Sequence, residues 1–325
     1  MNKENIRRIP LAEKDIVVNF LNENWGSAHP LVNNSTLFDY YYVDGDMTNF
    51  YVLSDDEGPA AVCGYIKCAQ KDRSDIWISI WCAKKGKNGL GLALMGAMKQ
   101  LTGADVMACN NIRPNTMPFY TFLGYYPGKL DHYYRLADLE KYSIALVKQK
   151  NIPLSHPAEK TTIVLLENIR QVKECFEIPA GLKPAKDFWY IEKRYFRYPH
   201  YQYLVFAVKK ENHVNALAVF RVNVSDEGKV LRLVDFIGKP SDFGLLSGQI
   251  DPLMAAYGCE YCDMYCRGID GEKAGFAKRE ADENIIPNYL NPLLQKNIDY
   301  YYFTTDNDGF TMFKADGDQD RKNLG

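Results

Sequence analysis

The sequence lacks the features of several protein classes. Its 325 residues contain no uninterrupted apolar run near the ~18 residues that a membrane-spanning helix needs. The opening MNKENIRRIP is polar and has no apolar region of the kind found in secretory signals. The formal net charge of −2 gives no general attraction to nucleic acid or to anionic membranes. We therefore expect a cytoplasmic protein with no membrane span and no nucleic-acid partner.

The eight cysteines do not have the pattern of a disulfide framework or of a metal site. Several lie in apolar, strand-like runs, which is typical of reduced, buried thiols: Cys63, Cys68, Cys82 and Cys109. A Cys-x2-Cys pair is present at Cys259 and Cys262, with Cys266 nearby, but no His or Cys follows to complete the four ligands of structural zinc. The sequence therefore predicts no metal.

The composition is that of a folded chain, with 46% apolar and 25% charged residues and an unusual 23 tyrosines. The length suggests two domains, and the chain reads as two similar halves. Each half has a strand hairpin, a long strand, a loop, a helix and a further strand. Trp81 and Phe236 occupy matching positions 155 residues apart, and Gly124 and Gly275 match at 151 residues. This self-similarity predicts a duplicated domain, with a linker at 151–160 that contains two prolines.

A glycine-rich loop with lysines lies in the first half, in the segment KKGKNGLGLALMGAMKQ. It follows a predicted strand and precedes an apolar helical pattern that Gly103 is placed to end. A helix N-terminus offers free N–H groups and a positive dipole end, and glycine lets the backbone approach a phosphate closely. A P-loop has a lysine and then a serine or threonine directly after its last glycine, and neither follows Gly91 here. Leu94 replaces the third glycine of a dinucleotide fingerprint. The loop is either a pyrophosphate cradle or a solvated turn.

A second motif, FYTFLGY at 119–125, follows the loop by some 30 residues. Together the two motifs resemble the GNAT superfamily of acyl-CoA-dependent N-acyltransferases, whose pyrophosphate loop is Arg/Gln-x-x-Gly-x-Gly/Ala. Gly89 and Gly91 match its glycines, whereas Gly86 replaces the first Arg/Gln. The second half resembles the same fold, but its loop GKPSDFG lacks Gly-x-Gly, so it is read as degenerate for coenzyme A.

The resemblance implies an α/β (α+β) fold of two tandem GNAT-like domains, each a mixed, mostly antiparallel sheet flanked by helices. Residues 1–150 would form an acyl-CoA-binding domain and 151–325 a degenerate one. It also implies a cofactor site for acetyl-CoA as cosubstrate, formed by the strand end, the loop and a nearby asparagine: Ile80, Trp81, Cys82, Ala83, Gly86, Lys87, Asn88, Gly89, Leu90, Gly91, Leu92, and either Asn111 or Asn115. Lys84 and Lys85 would add charge near the phosphates.

Acyl transfer from a thioester needs a neutral amine, an oxyanion donor and a proton for the leaving sulfur. Tyr120 matches the tyrosine that commonly protonates the sulfur in this superfamily. The general base is open among His29, Asp75 and His132, each of which also has an ordinary structural interpretation. A water chain from a distant carboxylate is a further possibility.

Other segments are similar to tandem-GNAT proteins encoded among bacterial surface-polysaccharide genes, including WGSAHP, PNYLNP and the tail DGDQDR. This similarity implies a small-molecule amine acceptor, an amino sugar linked to a nucleotide; it says nothing of the oligomeric state. The tail is first interpreted as solvated, since Arg321 stands where a calcium loop needs glycine. The resemblance offers the alternative that Asp318, Asp320 and Arg321 fold back to shape the acceptor site.

Three rival functions remain open at this point. One is a GNAT-fold scaffold that binds a ligand without catalysis. Another is an acyltransferase that uses a carrier-protein or aminoacyl-tRNA donor, for which a strongly basic groove would be expected. The third is a nucleotide-dependent enzyme of Rossmann type, which Leu94 argues against.

Overall fold

The computed structural model describes residues 5–25, 29–150, 152–154, 160–280 and 284–321. Its strands are β1 Ile6–Pro10, β2 Val43–Asp44, β3 Met47–Asp55, β4 Gly58–Lys67, β5 Ile76–Ala83, β6 Met107–Asn110, β7 Tyr126–Lys129, β8 Asp131–Leu136, β9 Thr161–Leu166, β10 Leu204–Lys210, β11 His213–Ser225, β12 Gly228–Gly238, β13 Tyr261–Arg267, β14 Ala277–Lys278, β15 Tyr301–Thr304 and β16 Met312–Phe313. Its α-helices are α1 Lys14–Asn24, α2 Pro30–Asn33, α3 Ser35–Tyr42, α4 Asn88–Thr102, α5 Met117–Phe122, α6 Ile169–Cys175, α7 Phe188–Ile191 and α8 Ile250–Tyr257.

The chain divides into two compact units that do not follow sequence order. The first unit contains the described parts of Met1–Pro127, Tyr302–Asn307 and Gly317–Gly325, and the second contains those of Gly128–Tyr301 and Asp308–Asp316. The sequence-based boundary at 150 therefore differs from the division in the structure. Most of the predicted linker, 151–160, lies outside the described residues.

The first unit is built on an eight-stranded mixed sheet in the order β1-β3-β4-β5-β6-β15-β7, with β2 paired to β3. The strands from β1 to β5 pair antiparallel, whereas β5 and β6 are parallel. Helix α4 follows β5 because Leu94, Met95 and Met98 recur on one face and are fully buried. The helix ends at Gly103, whose φ of 65° is a left-handed conformation that glycine adopts without strain.

The second unit is built on another eight-stranded mixed sheet, in the order β14-β8-β13-β12-β11-β10-β9, with β16 paired to β13. Here β12 and β13 are the parallel pair. The helix expected in the second half is preceded by a 3₁₀ helix over residues 240–246, and α8 begins at Ile250. Gly248, with φ of 81°, separates the two.

The registers of the two sheets confirm the duplication. In the first unit, Ile76 pairs with Met107 in the parallel ladder; in the second, Leu231 pairs with Cys262. Both residues of the second pair lie 155 positions after those of the first, which is the offset that the motifs predict. Each antiparallel partner ladder also has a register irregularity at the matching place, beside Gly64 in β4 and between Val219 and Phe220 in β11.

Each sheet contains a strand from the other half of the sequence. Strand β15, near the C-terminal end, pairs with β6 in the first sheet through Tyr302 with Asn110 and Thr304 with Ala108. Strand β8, which follows β7 directly in sequence, pairs with β13 in the second sheet. Strand β8 therefore belongs to the second unit, although it lies within the first 150 residues. This exchange is why the boundary at 150 does not separate two complete sheets.

Candidate active site

A gap in the first sheet forms the centre of the site. The parallel ladder of β5 and β6 ends at Ile78 paired with Cys109, although β5 continues to Ala83. Ser79 has no partner in the β4–β5 register, which passes from Gly64 opposite Ile80 to Tyr65 opposite Ile78. A bulge of this kind bends a strand and redirects its side chains. The main-chain groups of β5 beyond Ile78 therefore have no partner strand on the β6 side in the described ladder.

A cavity of about 770 Å³ lies at this gap, within the first unit. Its wall includes alternate residues of β5, which are Ser79, Trp81 and Ala83, because successive side chains of a strand point to opposite faces. Ile80 and Cys82 point to the other face and are buried. Of the predicted cofactor residues, the following line the cavity: Trp81, Ala83, Asn88, Gly89, Gly91, Leu92 and Asn111.

The N-terminus of α4 reaches the cavity at Asn88 and Gly89. No side chain caps this helix, whose N-cap residue is Lys87, so its first amides are available to an anion. Gly91 is required for packing: an added Cβ would lie 2.8 Å from the Ala83 Cβ. The indole Nε1 of Trp81 donates a hydrogen bond to the Gly91 carbonyl at 2.9 Å, which joins β5 to the helix.

The other predicted loop residues have different positions. Gly86 does not line the cavity; it is a turn residue with φ of 84°. The Lys87 Nζ lies 2.8 Å from Asp55 Oδ2, and the Lys84 Nζ lies 3.4 Å from Glu57 Oε2. The hydrogen bond that Lys87 donates to Asp55 raises the pKa of Lys87. Both lysines therefore pair with the β3–β4 hairpin, and their contact with a phosphate stays a prediction.

Tyr120 lies in the cavity wall and is only 4% exposed. Its ring stacks on Phe303 of β15 with a centroid distance of 4.3 Å and lies 6.0 Å from Trp81. Burial raises the pKa of its hydroxyl far above the ordinary value. The group therefore stays protonated at neutral pH, which is the state that a proton donor needs.

The structure distinguishes between the two candidate asparagines. Asn111 follows β6, has φ of 59° and lines the cavity, whereas Asn115 is exposed in a 3₁₀ turn outside it. Arg113 also lines the cavity, and no acidic partner for it is found among the residues that the structure describes. Sequence reasoning did not single out Arg113, because one arginine between two turn residues carries no pattern.

The C-terminal segment forms one wall of the cavity through Asp318, Gln319 and Arg321. Asp318 and Asp320 are each 4% exposed, so the interpretation of a solvated tail is wrong. Gln319 accepts a hydrogen bond from the Asn111 Nδ2 at 2.9 Å, and Arg321 donates to Asp318 Oδ2 at 2.8 Å. One side-chain hydrogen bond thus joins the segment to Asn111, the residue that follows β6.

The three candidate bases have separate environments. His29 caps α2, accepting from Leu31 N at 3.3 Å, and its Nε2 lies 3.4 Å from the Arg321 guanidinium beside the cavity. Burial and then Arg321 lower its pKa. Asp75 is buried and accepts from Val106 N at 2.8 Å, which joins the starts of β5 and β6; it does not line the cavity.

His132 lies in the second unit and is 3% exposed. Its Nε2 is 3.3 Å from Asp263, its Nδ1 accepts from Arg279 at 2.9 Å, and its ring stacks on Tyr265. Burial is the main cause of its lowered pKa. Both ring nitrogens therefore have partners within the second unit, and His132 is not among the residues that line the cavity.

Comparison with solved structures identifies the architecture. A GCN5-related N-acetyltransferase of Anabaena variabilis ATCC 29413 has a TM-score of 0.55 and 10% identity, over 92% of this chain and 71% of that one. One of Kribbella flavida has a TM-score of 0.53 and 13% identity over the same shares. The fold is that of the GCN5-related N-acetyltransferases, GNAT. No protein-family model and no curated protein matches the sequence.

Among the described residues of the second GNAT-like unit, the place that corresponds to the gap is filled. Strand β16 pairs with β13 at Cys266 and Arg267, beyond the end of the β12–β13 ladder at Arg232 with Asp263. On β12, the buried Asp235 accepts from Lys186 Nζ at 2.6 Å, and Lys186 also donates to Asp316 at 2.8 Å.

The residues that match the first unit's motifs have also changed. Leu246, fully buried, stands 155 positions after Gly91. Gly271 stands 151 positions after Tyr120, and an added Cβ there would lie 2.6 Å from the Tyr133 ring. The second GNAT-like unit therefore has neither the small residue nor the tyrosine of the first.

No helix among the described residues has the length and apolar character to cross a membrane. The same residues contain no group of three or more metal-ligating side chains.

Proposed function

We propose that the first unit is an acyl-CoA-dependent N-acyltransferase that transfers an acetyl group from acetyl-CoA to a primary amine. The observation that carries this proposal is a single cavity that joins three features: the gap between β5 and β6, the uncapped N-terminus of α4 and the buried hydroxyl of Tyr120. The GNAT fold supports it. A volume of about 770 Å³ is in the range of small-molecule sites.

In this proposal each part of the cavity has a chemical task. The amides at Asn88 and Gly89 would bind the pyrophosphate of coenzyme A, with the helix dipole favouring its negative charge. Unpaired main-chain groups of β5 would hold the pantetheine arm and donate a hydrogen bond to the thioester carbonyl as it becomes an oxyanion. Tyr120 would give its proton to the departing sulfur.

We infer an amino sugar, linked to a nucleotide and destined for a surface polysaccharide, as the acceptor. The support is the similarity of segments such as PNYLNP and DGDQDR to tandem-GNAT proteins of those loci. The first 150 residues and the tail would then carry the reaction, and the second unit would be degenerate. Its filled gap, Leu246 and Gly271 argue against a second coenzyme site.

Calorimetry with acetyl-CoA tests the proposal. Gly89→Asp places a negative charge at the N-terminus of α4, so we expect it to abolish the binding that the wild type has. Gly96→Asp on the exposed side of the same helix is the matched control and should leave binding within about twofold, because the helix dipole acts within the first turn. No binding by folded wild type would refute the acetyltransferase proposal. Normal binding with no thioester discharge by any amine would favour the scaffold instead.

A further inference from the structure

We propose that Asp318 holds the ammonium group of the acceptor and takes up one of its protons, so that the neutral amine can form the new C–N bond. This inference rests on the proposed acyltransferase function and assigns its missing base. Asp318 comes from the C-terminal segment, 209 residues after Cys109 of β6 in the sequence.

The position of Asp318 is the first argument. It lines the same cavity as Ser79, Trp81 and Tyr120, and it is only 4% exposed. It is also the only carboxylate among the described residues that line this cavity. A buried carboxylate in a ligand cavity needs positively charged or hydrogen-bonding partners, and an ammonium group is such a partner.

The hydrogen bonds of Asp318 leave room for a ligand. Its Oδ1 accepts from Gln319 Nε2 at 2.8 Å, and its Oδ2 accepts from Arg321 Nη1 at 2.8 Å. A carboxylate has about four lone-pair positions, so each oxygen can accept one more donor. Gln319 is fixed in turn by Asn111 at 2.9 Å. The carboxylate is therefore oriented before a ligand arrives.

The negative charge of Asp318 affects groups at the gap between β5 and β6. Burial raises the pKa of Tyr42 and of Cys109, and the negative charge of Asp318 raises both further. Cys109 is the last residue of β6 in the parallel ladder, and the Tyr42 hydroxyl lies 2.7 Å from Ser79 Oγ at the bulge of β5. The charge of Asp318 thus reaches Cys109 of β6 and the Tyr42 hydroxyl that contacts β5. Both groups lie at the gap, where the proposed thioester would lie.

His29 is a weaker candidate for the same task. Burial and the neighbouring Arg321 lower its pKa, so the imidazole holds a proton poorly. Its Nδ1 already accepts from Leu31 N, and its Nε2 faces the Arg321 guanidinium. A protonated imidazole would lie against that positive charge.

Asp318 and Tyr120 would carry the proton transfers of the reaction. The bound ammonium first gives one proton to Asp318, which passes it to solvent, and the neutral nitrogen then forms a bond to the thioester carbonyl carbon. This bond makes the two remaining N–H protons more acidic. One proton passes to Asp318 and then to solvent. The C–S bond breaks as the tetrahedral intermediate collapses, and the sulfur takes the proton of Tyr120, which solvent later replaces. The products are an amide and free coenzyme A.

The test compares Asp318→Asn with Asp56→Asn, an exposed carboxylate on the β3–β4 hairpin. Acetyl-CoA affinity is measured first by calorimetry, and release of coenzyme A is then followed with UDP-glucosamine as the amine probe. We expect Asp318→Asn to keep its acetyl-CoA affinity within about threefold and to lose roughly 10²-fold or more in kcat/KM for the amine. Asp56→Asn should match the wild type in both.

The pH profile separates a chemical role from a structural one. At high pH the amine loses its proton in solution, so the deficit of Asp318→Asn should shrink as pH rises. A deficit that is the same at every pH, or activity equal to that of Asp56→Asn, would overturn the role of Asp318 while leaving the acyltransferase proposal intact. Failure of the folded wild type to bind acetyl-CoA would overturn both, and it is seen before any amine is added.

Discussion

Replacing Gly91 by alanine is the sharpest test of how β5 and α4 pack. The new Cβ would lie 2.8 Å from the Ala83 Cβ, whereas carbon atoms in contact prefer ~3.5–4.0 Å. The Ala83 Cβ belongs to a short side chain on a strand, so it cannot rotate away. Gly89→Ala is the matched control, because its Cβ would meet no atom within 4 Å. Both substitutions gain helix propensity, so the difference between them isolates the steric cost.

We expect that difference to be about 1–3 kcal/mol in the free energy of unfolding, the usual cost of overpacking. Gly91→Ala should therefore unfold at a lower temperature than Gly89→Ala, by roughly 2–4 °C for each kcal/mol. Thermal unfolding followed by circular dichroism measures this. Equal melting temperatures for the two variants would refute the close packing of helix and strand. In acetyl-CoA calorimetry, Gly91→Ala should also bind more weakly, since a displaced helix moves its amides.

Three further predictions concern other groups. Tyr120→Phe should lower kcat by roughly 10²-fold or more with little change in acetyl-CoA affinity, because the phenol acts on the leaving sulfur; steady-state kinetics and calorimetry measure the two effects. Arg113→Ala should weaken acetyl-CoA binding by about twofold to fivefold, with a smaller effect at high salt, while Lys87→Ala should not, since Lys87 pairs with Asp55. Burial raises the pKa of Asp316 from 3.8 to about 6, so the folded state binds this proton more tightly than the unfolded state does. The free energy of unfolding should then fall as pH rises from about 4 to 6, and Asp316→Asn, tested by urea denaturation, should remove that slope.

Local patterns predicted much of the fold. The strand from Ile76 to Ala83, the helix that Gly103 ends and the duplication at 155 residues are all confirmed, because hydrophobic period and glycine conformation act within a few residues. The partner of each strand was harder to predict. β8 has the alternating pattern of a strand, but nothing in that pattern states which sheet it joins.

For the candidate site, too, local motifs were predicted well and contacts between distant residues were not. Gly89, Gly91 and Tyr120 belong to motifs with fixed spacing, and all three line the cavity. The ion pair of Lys87 with Asp55 was not predicted, because Asp55 lies 32 residues earlier, at the end of β3. Asp318 was expected first in a solvated tail, since its burial depends on contacts with residues about 200 positions earlier.

The exchanged strands have a consequence for synthesis on the ribosome. Met107 in β6 donates to Thr305, which comes 198 residues later in the chain. At about 5–20 residues per second, a nascent chain would wait on the order of 10–40 s between making β6 and making the strand beside it. During that interval β6 presents an open edge, and such edges pair readily with other chains. Chaperone protection of the nascent first half would therefore matter more here than for a protein whose sheets are completed in sequence order.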